Sequence, residues 1–282
     1  MAVDTFLALD ELSIVPPPAP RRGARLWAGT WPKLLAVALF IGVWQLVVWS
    51  GWKSEDILPS PFTVIDGMVH NLSDLSQAAW VTIKRGVVGY AIAMLIGGIV
   101  GLAVARSRVL RAGVGSMITG LQTMPSVAWF PLAIVLFSLS PSAILFVIVL
   151  GAAPSIANGI IDGVDNVPPI LLRAGRVLGA KGLTNLRYIV VPAALPSVIG
   201  GLKQGWSFAW RSLMAGELIT TLGGHPGIAH MLSNAKDNAD YVVVYEAMIV
   251  IFIIGVVVDA VFFGSAVRWV RKRYGLIDAA DQ

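Results

Sequence analysis

The feature that most constrains this chain is a long stretch, residues 112–161, without a single ionisable side chain. A helix needs about 20 mostly apolar residues to cross a bilayer. The stretch is therefore too long for one crossing and has the right length for two. Residues 138–142, Ser-Leu-Ser-Pro-Ser, lie in its middle and favour a reversal of the chain there. We expect two successive membrane-spanning helices.

Four further apolar segments complete a predicted set of six spans. They are residues 34–49, 86–105, 193–222 and 242–267. The composition agrees, because 56% of the residues are hydrophobic, only 13% are charged and the mean hydropathy is +0.77. A soluble domain typically has about 25% charged residues. The fold class is therefore an all-α membrane protein, and a free cytosolic enzyme is excluded.

The basic residues predict the orientation of the spans. Fifteen of the 21 Lys and Arg residues fall on the same side of the membrane as the N-terminus. They are Arg21, Arg22, Arg25, Lys33, Arg106, Arg108, Arg111, Arg173, Arg176, Lys181, Arg187, Arg268, Arg271, Lys272 and Arg273. Cytoplasmic segments carry such an excess, so both termini are expected in the cytoplasm. Topology also accounts for the net charge of +5, and no nucleic-acid partner is expected. Lys84 and Arg85, on the outer side, are expected to pack against protein or to reach the interface.

The segments outside the spans divide the chain into three regions. We expect a mobile cytoplasmic tail over residues 1–32, a membrane domain over 33–267 and a cytoplasmic C-terminal tail over 268–282. The outer segments 51–83 and 223–241 are each expected to hold one short helix.

The cytoplasmic segment 162–190 is long for a simple connection. Pro168 and Pro169 suit the first turn of a helix, which is predicted over residues 170–178. Gly179 can end that helix in a left-handed conformation, and a second short helix is predicted over residues 183–189. Apolar side chains offered to the cytoplasm suggest a docking surface, and a helix lying on the membrane is the alternative.

This segment resembles the loop of ABC-importer permeases with the pattern EAA, three residues, G, nine residues, I, one residue, LP. The corresponding residues are Arg173, Ala174 and Gly175, then Gly179, Ile189, Val191 and Pro192. The spacing is kept, although Arg173 replaces an acidic residue, Gly175 an alanine and Val191 a leucine. Three further stretches resemble the nitrate, sulfonate and taurine branch of that family: residues 58–61, residues 191–196, and Trp210-Arg211 followed by Gly216-Glu217-Leu218.

The resemblance implies a type I ABC-importer permease fold and a membrane subunit that is not itself an enzyme. Two permease copies, as a homodimer in the membrane lipid, would form the path, and two cytoplasmic ATPase subunits would bind the coupling helices. A periplasmic or lipid-anchored binding protein would deliver the solute across the bacterial inner membrane. No cofactor is expected on this chain, and ATP and Mg²⁺ belong to the ATPase. The sequence has no G-x-x-x-x-G-K-[ST] loop for phosphates.

Ionisable groups inside spans are costly unless paired or hydrated, so each is a functional candidate. Lys203 and Asp259 are predicted at similar depth and to pair, with a structural role favoured. Arg211, beside Trp210, could offer two parallel hydrogen bonds to an oxyanion. The alternative is that Glu217 or Glu246 neutralises it.

Polar residues of span three extend this candidate path. Gln122 and Ser126 flank a proline that breaks a backbone hydrogen bond, which is tolerated where backbone faces protein or a watery cavity. A packing kink is the other interpretation, and Pro131 is expected to repeat the disturbance. The candidate substrate path is therefore Gln122, Ser126, Trp210, Arg211 and Glu217.

Other functions have less support in the sequence. A metal site at His225 and His230 lacks a third ligand at a regular spacing, so no metal is expected. An ion-coupled secondary transporter would show an internal repeat, and none is evident. An intramembrane hydrolase would need a histidine at membrane depth. Aliphatic sulfonates, taurine and nitrate are the expected solutes, with bicarbonate or a heterocyclic vitamin precursor as alternatives.

Overall fold

The computed structural model describes residues 22–219 and 226–274, and every regular element in those ranges is helical. The described residues up to Pro61 form one compact unit, and those from Phe62 onwards form a second. Residues 1–21, most of the predicted N-terminal tail, and residues 275–282 lie outside the described ranges.

The first unit contains helix α1, Arg22–Trp49. Its residues from Thr30 to Trp49 are apolar on all sides and almost entirely exposed within the chain. A helix that is apolar all round is typical of a membrane span. The predicted span 34–49 is therefore the apolar part of a longer helix.

Eleven helices follow in the described residues of the second unit, the first of them beginning at the boundary residue Pro61. They are α2 (Pro61–His70), α3 (Leu72–Arg106), α4 (Arg108–Thr123), α5 (Phe130–Phe137), α6 (Pro141–Asp165), α7 (Pro169–Val177), α8 (Gly182–Asn185), α9 (Val191–Ile219), α10 (Ile228–Asp237), α11 (Tyr241–Val257) and α12 (Gly264–Arg273). A 3₁₀ turn, Ser126–Trp129, precedes α5, and π-helical turns, Leu186–Val190 and Val258–Phe263, join α8 to α9 and α11 to α12.

Helix α6 is the centre of this unit and packs against α3 on one side and α9 on the other. Small residues let these helices approach closely. A Cβ atom on Gly159 of α6 would lie 2.5 Å from the Cα of Gly201 in α9. A Cβ atom on Gly101 of α3 would lie 2.9 Å from the Cα of Ala157. The core therefore depends on glycine at the helix crossings.

The third predicted span is not a continuous helix. Helix α4 ends at Thr123, Met124 and Pro125 are extended, and the segment Ser126–Phe137 leaves at an angle of 107°. Proline removes a backbone donor and clashes with the preceding turn, which explains the break. Pro131 does not repeat it, because this residue lies in the first turn of α5, where proline is tolerated.

The count of spans agrees with the sequence. Five helical segments are long and apolar enough to cross a membrane, and the bent pair around Pro125 makes a sixth if it counts as one span. Helix α3 is longer than the predicted span 86–105. Its 35 residues extend about 52 Å, so it projects well beyond a hydrocarbon core of about 30 Å. The predicted reversal also occurs, since α5 ends at Phe137 and α6 begins at Pro141.

The short helices lie where the sequence predicted them. Helices α2 and α10 occupy the two outer segments, and α7 ends one residue before the predicted Leu178. Gly179 has a φ of +78°, the left-handed conformation expected after that helix.

Candidate functional site

The break at Pro125 opens a cavity of about 370 Å³ in the membrane domain. We call it the arginine cavity. Its lining comes from α4, the extended break and α9: Gln122, Thr123, Met124, Pro125, Ser126, Val127, Phe208, Arg211 and Ala215. Three of the five candidate path residues, Gln122, Ser126 and Arg211, thus lie around one space.

Arg211 carries the positive charge of this cavity. Its Nε donates to the carbonyl of Ser207 at 3.0 Å, and its guanidinium lies 4.7 Å from the ring of Phe208. Within residues 22–219 and 226–274, Arg211 forms no ion pair, and the side chain is exposed. The alternative, in which Glu217 or Glu246 neutralises Arg211, does not match these contacts, because Glu217 pairs with Arg85 and Glu246 accepts from Asn71.

Two other candidate path residues lie elsewhere. Trp210 points to a different side of α9, where its ring stacks on Trp206 at 6.0 Å and its Nε1 lies 3.5 Å from the Cβ position of Gly255. Neighbouring residues on a helix differ by about 100° in direction, so Trp210 and Arg211 face different surroundings. Trp210 is thus part of the packing between α9 and α11.

Glu217 lies in a separate buried network. The residue is 1% exposed, and it accepts hydrogen bonds from Thr82 Oγ1 at 2.8 Å and from Arg85 Nη1 at 3.0 Å. The first turn of α10 joins this network, because Ala229 N donates to Glu217 at 3.4 Å and Ile228 N donates to Thr82 Oγ1 at 2.8 Å. Glu217 therefore connects α3, α9 and α10 and is not part of the arginine cavity.

The sequence singles out both charged residues of this network, Arg85 and Glu217, but it does not predict that they pair. Arg85 is expected to pack against protein or to reach the interface, and its partner lies 132 positions away in the chain. No local spacing indicates such a contact. The contact between Asn71 and Glu246 was missed for the same reason. Glu246 is fully buried, and Asn71 Nδ2 donates to its two carboxylate oxygens at 3.1 and 3.3 Å.

A second cavity, of about 390 Å³, adjoins the first through Gln122. We call it the amide cavity, because side-chain amides dominate its polar lining. The lining residues are Gln122, Ser155, Asn158, Gly159, Asp162, Asn166, Ser197, Gly200, Gly201 and Gln204. Asn158 Nδ2 donates to Gln122 Oε1 at 2.9 Å, so this hydrogen bond lies between the two cavities.

The predicted intramembrane pair is in contact. Lys203 Nζ lies 3.0 Å from Asp259 Oδ2, and each side chain is 45% exposed within the chain. Asp259 lies in the π-helical turn after α11, and such turns occur frequently at functional sites. Neither residue lines the arginine or the amide cavity.

The predicted coupling residues lie around α7. Arg173 and Ala174 are exposed, whereas Gly175 is buried against Ile189 and a Cβ atom there would overlap the end of that side chain. Glycine in place of the family's alanine thus leaves room for Ile189. Arg173 forms no ion pair with any described residue.

A third cavity, of about 450 Å³, lies beneath α7. Four of the predicted coupling residues line this cavity: Ala174, Gly175, Ile189 and Pro192. Val191, in contrast, is half-exposed and stands outside this lining. Helix α7 is short and amphipathic, and its exposed surface carries both charged and apolar side chains.

Of the two histidines considered for a metal site, His225 lies outside the described residues. Among the residues that the structure does describe, no group of three His, Asp or Glu side chains could hold a metal ion.

Comparisons with known proteins identify the family of this chain. A family model described as "binding-protein-dependent transport system inner membrane component" matches residues 93–275. The chain is 26% identical over 280 residues to the nitrate import permease of Synechococcus elongatus, an alignment covering 93% of this chain and 97% of that protein. It is 29% identical over 230 residues to an Escherichia coli permease named for aliphatic sulfonate transport, covering 81% and 86%.

The same fold occurs in an inward-facing structure of a methionine ABC transporter. The TM-score is 0.57 at 20% identity, and the match covers 73% of this chain and 97% of that one. The relatives are membrane components of transport complexes and not catalytic subunits. The secondary-transporter alternative is therefore set aside. The chain belongs to the family of inner membrane components of binding-protein-dependent transport systems, the permease subunits of ABC importers.

Proposed function

We propose that this permease carries a small oxyanion, such as an aliphatic sulfonate, taurine or nitrate, and that Arg211 binds it in the arginine cavity. The observation that carries the proposal is a guanidinium with no carboxylate partner among the described residues, lining a cavity in the membrane domain. A charge at membrane depth is costly unless it is paired or hydrated. An anionic solute would supply the missing partner.

The chemistry of the lining supports an oxyanion. A guanidinium can donate two parallel hydrogen bonds to two oxygens of a planar or tetrahedral anion. The amide of Gln122 and the hydroxyl of Ser126 are neutral donors beside it. Relatives named for nitrate and sulfonate transport agree with this class. Bicarbonate would fit the same donors, whereas a heterocyclic vitamin precursor would not need the charge.

Transport would follow alternating access driven by the partner ATPase. ATP and Mg²⁺ would bind to two ATPase subunits, whose closure moves α7 and the residues around it as a rigid lever. In a homodimer within the bacterial inner membrane, two copies of α9 would then expose the arginine cavity first to a binding protein and later to the cytoplasm. Both termini would lie in the cytoplasm.

The docking of α7 would depend on its basic surface. The segment from Asn166 to Val190 contains Arg173, Arg176, Lys181 and Arg187 and no acidic residue. An acidic groove on this permease's own ATPase would match this charge. Arg173 replaces the family's acidic residue, and the acidic groove on the ATPase would then be the matching change in the partner.

The proposal is tested with proteoliposomes that contain the permease, its ATPase and the loaded binding protein. In the Arg211→Gln variant we expect ATP-driven sulfonate uptake to fall about tenfold or more, because a charge-assisted hydrogen bond contributes about 1.5–3 kcal/mol. ATP hydrolysis should persist, since Arg211 lies about 30 Å along α9 from Val191, where that helix begins beside the coupling residues. Arg268→Gln, which removes an exposed cation bound to Ser265, is the matched control. Unchanged uptake in Arg211→Gln would exclude the proposed role.

A further inference from the structure

The amide cavity contains a buried polar group without a protein partner. Ser155 is 1% exposed, and among the described residues its Oγ has no hydrogen-bond partner. Buried hydroxyls are normally hydrogen-bonded, and leaving one unsatisfied costs about 1–3 kcal/mol. Because Ser155 lines the cavity, a solute or water inside it is the natural partner for this hydroxyl.

The charge of the amide cavity is opposite to that of the arginine cavity. Its lining contains no Lys or Arg and one carboxylate, that of Asp162. Asp162 forms no ion pair within the described part of the chain. Asp165, one turn further along α6, pairs instead with Arg111 at 2.7 Å. Asp162 is thus an exposed anionic group near the end of α6, without a cation and beside a polar cavity.

The two cavities meet at the hydrogen bond between Gln122 and Asn158. The guanidinium of Arg211 lies on one side of this amide pair, and the carboxylate of Asp162 lies on the other. A simple anion that left Arg211 would encounter a carboxylate and no cation in the amide cavity. A group with N–H donors and a positive charge would instead be stabilised there.

We infer that the amide cavity is a second solute station, which binds the ammonium group of a zwitterionic solute through Asp162 and Ser155. The inference rests on the proposed function and narrows its substrate class to a small oxyanion that also carries an ammonium group. The ammonium has three donors. Asp162 accepts a charge-assisted hydrogen bond, and the Ser155 hydroxyl and an amide oxygen accept the others.

The test uses the assembled permease and ATPase in lipid nanodiscs without the binding protein, so that the binding protein's specificity does not contribute. Two probes share one oxyanion and one chain length: 2-aminoethanesulfonate, which has the ammonium group, and ethanesulfonate, which lacks it. Equilibrium binding of both is measured for the unaltered complex and for Asp162→Asn, Ser155→Ala, Asp165→Asn and Arg211→Gln.

We expect the unaltered complex to bind 2-aminoethanesulfonate about tenfold more tightly than ethanesulfonate, the effect of one charge-assisted hydrogen bond. Asp162→Asn should abolish this preference, and Ser155→Ala should reduce it about threefold. Asp165→Asn, whose carboxylate does not line the cavity, should keep it. No preference in the unaltered complex, or a preference retained in both Asp162→Asn and Ser155→Ala, would overturn the inference.

A different measurement, the binding of ethanesulfonate, tests the proposed function. Arg211→Gln should weaken the binding of ethanesulfonate, which has no ammonium group. If that affinity is unchanged, Arg211 does not bind the oxyanion and the proposed function fails. The preference between the two probes reports on the amide cavity alone.

Discussion

Replacement of Arg85 by methionine tests the buried network around Glu217. The change removes the guanidinium that lies 3.0 Å from Glu217 and leaves a carboxylate that is 1% exposed without a cation. Breaking a buried ion pair on one side costs about 3–5 kcal/mol. Arg85 is 21% exposed, and Glu217 keeps hydrogen bonds from Thr82 and Ala229. We therefore expect the lower end, a loss of about 3 kcal/mol in the free energy of unfolding.

The double variant Arg85→Met/Glu217→Gln isolates the buried charge. The single and the double variant both lose every other contact of Arg85. The difference between their free energies of unfolding therefore comes from the charge on residue 217. Removing both charges of a buried pair is often close to neutral, and we expect the double variant to regain about 2 kcal/mol.

The assay is unfolding by SDS titration in detergent micelles, followed by the fluorescence of the ten tryptophans. If the free energy of unfolding of Arg85→Met lies within about 0.5 kcal/mol of that of the unaltered chain, the ion pair does not stabilise the fold. If the single and double variants are equally unstable, the cost does not come from an unpaired carboxylate. Either result would refute the reasoning.

Three further predictions concern packing, the intramembrane pair and coupling. Gly159→Ala should cost about 1–3 kcal/mol in the same titration because its Cβ would collide with α9, whereas Gly98→Ala, with no atom within 4 Å, should be neutral or stabilising. Lys203→Met should destabilise the chain more than Lys203→Met/Asp259→Leu, since only the single change strands a carboxylate at membrane depth; equal losses would contradict this. Arg173→Glu should weaken co-purification of the ATPase subunits, and unchanged assembly would contradict a charge-specific contact.

The spans, the reversal and the short helices could be predicted because each depends on local composition. Hydrophobic runs define the membrane helices, and Pro169 and Gly179 mark the limits of α7. The break of 107° at Met124 and Pro125 is sharper than a proline kink. The sequence predicts a distortion there but not its angle, because the angle depends on the packing of α4 against α6 and of the 3₁₀ turn against α9.

The candidate site was only partly predictable for a related reason. Gln122 and Arg211 could be selected because polar and charged groups are rare within spans. Their meeting around one cavity depends on tertiary contacts, those of α4 with α6 and those of α9 with α6 and the 3₁₀ turn. Glu217 met the same criterion, yet it is buried in the network with Thr82 and Arg85. Rarity within a span thus identifies an important residue, whereas its role depends on its partners.

The measurement that tests the central claim most directly uses the absence of cysteine from the chain. A single Ser126→Cys substitution places the only thiol of the permease in the arginine cavity. Its alkylation by a membrane-impermeant, charged reagent is followed from each side of the membrane, with and without nucleotide trapped on the ATPase. Phe252→Cys, on the exposed apolar face of α11, is the control and should not react from either side. The account predicts that Ser126→Cys is labelled from the cytoplasm without nucleotide and from the outer side with trapped nucleotide. Labelling from one side only in both states, or from neither, would contradict it.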